Sequence, residues 1–358
     1  MHVFYAYQAT TSDQAEAGFG VKFDWDIDLL EGFESSFLEN VSKNPSLGTF
    51  GGCDTPSIGD KLDSMPFDAV LLMGWHLKTY IQALFAAKKR GMPVMVRGDS
   101  QVQTPRSLLK RLAKSLGYPV FLRLFDVALY VGERSRSYYT HYHYPENRLF
   151  FSPHCVDNDW FAEKASAADS KHLRTRLGIK PDVRLVLFAG KLVQFKRPLD
   201  VIEACNLVWQ RGVEAAVLVA GAGELEDIMK MRADELDVPI YHLGFCNQTE
   251  MPAAYAAADV LALPSSSSET WGLVANEALA CGCPIVVSSA CGCAPDLTGD
   301  CMAGRSYPFN NIQAFSDALY EVLESPMKPE DMTTKLKTYS PAKAADGVCE
   351  ALDYLTGR

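Results

Sequence analysis

Val260-Leu261-Ala262-Leu263-Pro264-Ser265-Ser266-Ser267-Ser268-Glu269-Thr270-Trp271-Gly272-Leu273-Val274-Ala275-Asn276-Glu277-Ala278-Leu279-Ala280-Cys281-Gly282-Cys283-Pro284-Ile285-Val286-Val287-Ser288 is the stretch that decides the fold. An apolar run ends at Leu263, and a Ser-rich loop follows it. A helical pattern starts near Gly272 and closes at Gly282, and a second apolar run spans Pro284–Ser288. Strand, loop, helix and strand at this spacing form a crossover whose two strands lie parallel.

The same alternation extends outward in both directions. Strands read at His2–Tyr7, Ala69–Met73, Pro93–Arg97, Asp126–Val131 and Arg148–Phe151 in the first half. In the second half they read at Arg184–Ala189, Ala216–Ala220, Ile240–Leu243, Val260–Leu263 and Pro284–Ser288. Helical patterns lie between them, near Asp28–Asn40, Leu77–Arg90, Pro105–Leu116 and Glu133–His141, then Pro198–Arg211, Glu224–Glu235, Glu250–Ala257 and Leu273–Cys281. After Tyr320 the chain reads as helical, broken at Tyr339-Ser340-Pro341. The fold class is α/β with parallel sheets covered on both faces. One doubly wound sheet does not hold this many strands comfortably, so two similar domains are expected, meeting in the polar segment Asp157–Lys180. Ligands in such sheets bind beyond the carboxyl ends of the strands.

The 358 residues include 48% hydrophobic and 22% charged residues, which fits a soluble globular chain and excludes collagen-like, disordered and disulfide-scaffold classes. With 34 Lys+Arg against 44 Asp+Glu the net charge is −10, unsuited to general nucleic-acid binding. The charge is uneven. Residues 1–70 carry 3 cations against 12 acids (net −9), residues 71–150 carry 13 against 4 (net +9), and residues 151–358 carry 18 against 28 (net −10). A basic stretch inside an acidic chain suggests an anionic partner there. Met1-His2-Val3-Phe4-Tyr5 opens no signal-peptide pattern. The longest apolar run, Ala69–Trp75, is far short of the roughly 20 residues that span a bilayer. The expected location is cytoplasmic, with peripheral contact on the inner face of a membrane left open. Cys281-Gly282-Cys283 and Cys291-Gly292-Cys293 have gaps too tight for the usual structural zinc pair, so buried thiols and no metal are expected.

Three motifs follow strand ends. Gly190-Lys191-Leu192-Val193-Gln194-Phe195-Lys196-Arg197 places two or three cations and a helix start after the strand ending at Ala189. Cations oppose the helix dipole there, so an anion such as a diphosphate gives them a purpose beyond a solvated basic cluster. Ala220-Gly221-Ala222-Gly223-Glu224 is a tight strand-to-helix turn, and Gly18-Phe19-Gly20 follows the first strand; neither completes a dinucleotide fingerprint. Glu269 lies on the Ser-rich loop and Glu277, eight positions on, lies inside the helix. Two acceptors so spaced can hold hydroxyls of a polyol, while backbone N–H groups of Gly272 and Leu273 can meet an anion. Glu277 sits among apolar neighbours, where a carboxylate needs a partner.

On these residues the block from Phe188 to Asp296 resembles the donor domain of glycosyltransferase family 4, retaining group 1 enzymes of the GT-B fold. The match rests on Gly190-Lys191-Leu192…Lys196, the G-x-G-E turn, Ala257-Ala258-Asp259-Val260 before Leu263-Pro264-Ser265, the Glu269/Glu277 pair and Ala280-Cys281-Gly282-Cys283-Pro284-Ile285-Val286. Softer likenesses lie at Phe23-Asp24-Trp25-Asp26-Ile27-Asp28-Leu29-Leu30, Arg97-Gly98-Asp99-Ser100 and Pro153-His154-Cys155-Val156-Asp157. The resemblance implies two facing Rossmann-like domains with a cleft between them. Residues 1–165 would carry the acceptor, residues 166–340 the nucleotide-sugar donor, and residues 341–358 would form a helix packing back on the first domain. It also implies transfer of a sugar from a nucleotide-diphosphate donor to an acceptor hydroxyl with retention, by a front-face mechanism needing neither cofactor nor metal. Carried over, Lys191 and Lys196 grip the diphosphate, Glu269 holds donor-sugar hydroxyls and Glu277 the ribose. Gly272, Leu273, Gly223 and Gly20 lie against the donor. The family usually has Arg where Lys191 stands, and Lys cannot fork bidentately onto phosphate.

In the first half, His76 ends the strand Ala69–Met73 and is a candidate to hydrogen-bond the donor sugar; a plain helix-start histidine is the rival reading. Arg97, Asp99 and Trp25 are candidate acceptor contacts, with His154 and Asp157 ranked behind them. Within residues 105–125, Leu108, Leu109 and Leu112 share one helix face and Arg106, Lys110 and Lys114 another, the pattern of a helix resting on anionic lipid. Rival functions are a sugar-nucleotide epimerase of the same fold, a catalytically silent nucleotide-sugar binder, and a nicotinamide dehydrogenase. The unfinished glycine fingerprints speak against the last.

Overall fold

Residues Leu185–Ala189, Ala215–Ala220, Val260–Leu263 and Ile285–Ser288 are buried throughout. A strand loses water on both sides only when helices cover both faces of its sheet, and that is the architecture of the computed structural model, which describes residues 1–8, 24–168, 170–325 and 327–357. Its strands are β1 (His2–Tyr5), β2 (Glu34–Phe37), β3 (Val70–Leu72), β4 (Val94–Gly98), β5 (Val127–Tyr130) and β6 (Leu149–Phe151) in the first half. The second half holds β7 (Arg184–Ala189), β8 (Ala215–Ala220), β9 (Ile240–Gly244), β10 (Val260–Leu263), β11 (Ile285–Ser288) and β12 (Gly304–Tyr307).

The C-terminal sheet runs β12-β11-β10-β7-β8-β9, all parallel, so the order reverses between β7 and β10. The N-terminal sheet runs β3-β4-β5-β6, also parallel, and β1 pairs separately with β2. The crossover read from Val260–Ser288 is present, with its helix at Val274–Ala280. One apolar core fills each face of the C-terminal sheet. Leu187, Leu218, Leu261 and Val287 point to one side, and Val186, Val217, Val260 and Val286 to the other.

Several elements depart from the sequence reading. The helix expected over Asp28–Asn40 does not form; the segment turns at Gly32 (φ 89°) and continues as β2, parallel to β1. A left-handed glycine ends any helix started at Asp28, and Ser35-Ser36-Phe37 then suits a half-buried strand better than a helix. The sequence reading also leaves out β12, a four-residue edge strand too short and too polar to give an apolar run. The expected helix Pro105–Leu116 forms later, at Leu108–Phe121, capped by Ser107, whose Oγ accepts from Lys110 N–H at 3.4 Å.

The two halves touch through specific polar contacts. Asp296 receives the Glu133 N–H on both carboxylate oxygens (3.0 and 3.2 Å), capping the helix Glu133–His141 from the opposite half, and accepts from Tyr339 Oη at 2.9 Å. Burial pushes the Asp296 carboxyl up to about 6, against the pull of those hydrogen bonds. A Cβ on Gly132 would stand 2.4 Å from the Trp271 ring, so only glycine fits between that helix and the second half. The last helix, Pro341–Thr356, lies on β5 and β6, with Ser152 Oγ donating to Ala344 O at 3.0 Å and Ala351 buried against Met95, Val127 and Leu129.

Gly347 of that helix faces the β6 backbone, where a Cβ would stand 1.9 Å from Phe151 O. In an open helix interior Ala is about 1 kcal/mol better than Gly. Here Gly347→Ala is expected to lower stability by about 1–3 kcal/mol, seen as a fall in melting temperature, while Gly51→Ala, with nothing within 4 Å, leaves it unchanged.

Candidate active site

Three loops meet at the carboxyl ends of β7, β8 and β10. After β7 the chain turns at Gly190 (φ 139°), passes Lys191 and Leu192, makes a single tight turn over Gln194–Lys196 and starts the helix Pro198–Trp209. Gly221 and Gly223 (φ 154° and 156°) bring the β8 loop against it. Gly190 N–H donates to Ala220 O and Leu192 N–H to Ala222 O, both at 2.9 Å, and Leu225 N–H to Leu192 O at 3.0 Å. A Cβ on Gly221 would stand 1.9 Å from Gly190 O, and one on Gly223 2.6 Å from Leu192 O. The G-x-G turn is thus the brace of the cationic loop, and Gly223 does its work by touching Leu192.

The loop after β10 closes the third side. Ser266 N–H donates to Phe195 O at 2.8 Å, and Glu269 N–H folds back to Ser266 O at 3.0 Å. Gly272 (φ 103°) turns the chain into the helix Val274–Ala280, with Leu273 at its cap, so both stand at the helix start. The outcome is a direct ion pair between Lys196 Nζ and the Glu269 carboxylate, each side chain only 14% exposed. Lys191 shares the spot. Burial first, then the neighbouring Lys196, lower its ammonium pKa, and Glu269 works the other way. Arg197 leaves the cluster. It adopts a left-handed φ of 57° and gives its guanidinium to Asp200 (2.8 Å) and Asn310 (3.0 Å), so two cations gather here rather than three.

Glu277 has the partner that its apolar surroundings demand. Tyr255 Oη donates to Glu277 Oε2 at 2.6 Å from a fully buried ring. Burial raises the Glu277 pKa and the tyrosine bond opposes the rise. Tyr255 was not read from the sequence; a lone tyrosine in the alanine-rich run Pro252–Ala258 was the available sign.

From the N-terminal half, Asp99 Oδ2 accepts from Thr270 Oγ1 at 2.6 Å, and Gln101 Nε2 donates to the carbonyls of Ser267 (2.8 Å) and Glu269 (3.2 Å). Gln101 and Thr270 also escaped the sequence reading, because only the folded chain sets Gln101 against the Ser267–Glu269 loop and Thr270 against Asp99. His154 lies beside Asp99 (4.0 Å) with its ring 5.5 Å from that of Trp271. Burial, helped by nearby Arg97 and opposed by Asp99, pushes its pKa down to about 4. Arg97 braces its own half, with Nε on Ser152 Oγ (3.2 Å) and Nη2 on Pro153 O (2.7 Å). His76 is exposed with its ring against Tyr80, and among the described residues no contact joins it to Lys196 or Glu269. Trp25 lies between Asp24 and Asp26, which both bond the C-terminal half, Asp24 O accepting from Asn247 Nδ2 at 2.7 Å and Asp26 accepting from Thr249. Gly20 lies outside the described residues.

Residues 169–339 match the family model of the glycosyl transferases group 1. The GDP-mannose-dependent alpha-(1-6)-phosphatidylinositol monomannoside mannosyltransferase of Mycolicibacterium smegmatis is 28% identical over 244 residues, 66% of this chain and 60% of that protein. A D-inositol 3-phosphate glycosyltransferase of Corynebacterium aurimucosum is 32% identical over 188 residues, 50% of this chain and 44% of its own. The chain thus spans about half the length of the curated relatives it matches. Among solved structures, Anabaena HepE in complex with UDP superposes with a TM-score of 0.72 at 15% identity, over 99% of each chain. The fold is GT-B, two Rossmann-like halves with parallel sheets facing each other.

The buried His154 makes a pH prediction. An unfolded chain takes up its proton below pH 6.5 and the folded one only near 4, so the stability this residue contributes is full above pH 6.5 and drains away as pH falls toward 4. An NMR titration of the His154 ring should show a midpoint near 4; a midpoint near 6.5 contradicts this placement.

Proposed function

We propose that the protein is a retaining, metal-independent glycosyltransferase that moves a sugar from a nucleoside-diphosphate sugar to an acceptor hydroxyl. The observation that carries the reading is the pair Lys191 and Lys196, held at the end of β7 against Glu269 and close enough for one ammonium to depress the other. Two crowded cations at a strand end in an acidic half-chain suit a diphosphate. On this reading the arriving diphosphate exchanges with the Glu269 carboxylate at Lys196, freeing Glu269 to turn to hydroxyls of the donor sugar.

Each neighbouring residue then has a task. Glu277, anchored by Tyr255, accepts from the ribose hydroxyls. Backbone N–H groups of Gly272 and Leu273 meet phosphate or sugar at the helix start. As the bond to the anomeric carbon breaks, negative charge grows on the leaving diphosphate, and preorganised ammonium groups stabilise it without a metal. The leaving phosphate takes the acceptor's proton, so no carboxylate nucleophile is needed. His76 would hydrogen-bond the donor sugar, and Asp99, Arg97 and Trp25 would serve the acceptor. In Arg97's case the role is to hold the Ser152–Pro153 turn. The relatives named for GDP-mannose and for D-inositol 3-phosphate, and the UDP bound by HepE, support a nucleotide-sugar donor.

Turnover of a panel of UDP-, GDP-, ADP- and dTDP-sugars, with the product anomer read by proton NMR, tests the reaction. Release of nucleoside diphosphate with retained configuration is expected, and chelator leaves the rate unchanged. Epimerised donor without free diphosphate points to the epimerase instead. Lys196→Ala should lower kcat about 10²–10³-fold, the scale of losing one charge-stabilising group. Glu277→Gln keeps an acceptor for Tyr255 and should raise donor KM about tenfold. Unchanged kinetics in both contradict the site.

A further inference from the structure

We propose that the helix Leu108–Phe121 is a docking surface for anionic lipid membrane. The inference does not rest on the transfer reaction. Leu108, Leu109, Leu112, Leu116 and Val120 are 79, 80, 61, 74 and 71% exposed, and no residue of the helix is buried. At about 100° per residue, all five fall within an arc of about 120°. Single exposed leucines are ordinary, whereas a contiguous stripe of five marks an interaction face.

The helix is mounted by its opposite side. Lys114 Nζ sits on Tyr138 Oη at 3.2 Å and 4.5 Å over the Tyr118 ring, and Trp75 Nε1 donates to Tyr118 Oη at 3.3 Å. Arg106 turns back to Gln101 O at 3.2 Å. The sequence pattern put Arg106, Lys110 and Lys114 together on a solvent face; the fold sends the first and last inward. Lys110 and Arg111 stay exposed and flank the leucine stripe on either edge, with exposed Arg123 beyond its end. From Gln101 to Phe125 the chain has five cations and no carboxylate.

An apolar stripe rimmed only by cations is complementary to a bilayer surface of acyl chains and anionic headgroups. A second copy of the chain fits poorly, since a two-fold contact along the stripe would bring together two cationic rims with no carboxylate in either segment to pair them. The helix begins seven residues after Gln101, which touches the Ser267–Glu269 loop, so a membrane held here lies one loop from the site.

Co-sedimentation of the full chain with phosphatidylcholine vesicles, with and without phosphatidylglycerol, tests the proposal. Binding to the mixed vesicles at low salt, weaker at high salt and weak to phosphatidylcholine alone, is expected. The triple variant Leu109→Gln, Leu112→Gln, Leu116→Gln and, separately, Lys110→Glu with Arg111→Glu should each lower that binding about tenfold or more. All five side chains are exposed, so melting temperature and nucleoside-diphosphate affinity should stay unchanged in both. No vesicle binding by the parent protein overturns the proposal, as does binding that neither variant weakens or that ignores phosphatidylglycerol. A dimer in light scattering that the leucine variant dissolves, without vesicle binding, overturns it in favour of a second copy.

Discussion

Backbone meeting backbone without room for a Cβ is the constraint on which the C-terminal half depends. Gly221 and Gly223 let the β8 loop close on the backbone of Gly190 and Leu192 to hydrogen-bond distance, and Gly292 lies so near Thr270 O that a Cβ would stand 1.7 Å from it. These approaches fix where Lys191, Lys196 and Glu269 project. An ammonium pair and a carboxylate would disperse to solvent on looser loops, because long side chains lose entropy when held and exposed pairs gain little. Here the loops hold them, and the charges stay concentrated beyond the strands where the sheet order reverses.

A second level of order joins the halves. Asp296 caps the helix that starts at Glu133, Thr270 bonds Asp99, and Trp271 packs on Gly132 and beside His154. The loop that carries Glu269 is therefore gripped from both sides, by Phe195 of its own half and by Gln101 of the other. Any movement that opens the halves acts directly on that loop. This couples access to the site with its geometry, a common arrangement where a cleft closes over substrate.

The second half was largely legible in the sequence because its strands are buried on both faces and appear as continuous apolar runs. Its strand-end motifs sit where parallel sheets place ligands. Lys196 and Glu269 each stood out after its own strand, but the ion pair between them appears only once β7 and β10 lie side by side. Local sequence could not show which distant residues meet, within the second half or across to the first. Tyr255 under Glu277, Gln101 over the Ser267–Glu269 loop and Asp296 on Glu133 join residues far apart in the chain. The Asp28–Asn40 segment misled because its leucines suit a helix while Gly32 ends one, and pairing with β1 decided the outcome. The leucines of Leu108–Phe121 gave the right helix, but periodicity alone does not say which face is turned to water.

The central claim is that Lys191 and Lys196 exist to hold a diphosphate. Calorimetric affinities for the nucleoside, its monophosphate and its diphosphate, all of the one base that binds best, test it most directly. The account predicts a steep rise in affinity at the diphosphate, by tenfold or more for about 1.4 kcal/mol of added interaction, and loss of that rise in Lys196→Ala. Equal affinities along the series, or a diphosphate preference that survives the substitution, would contradict it.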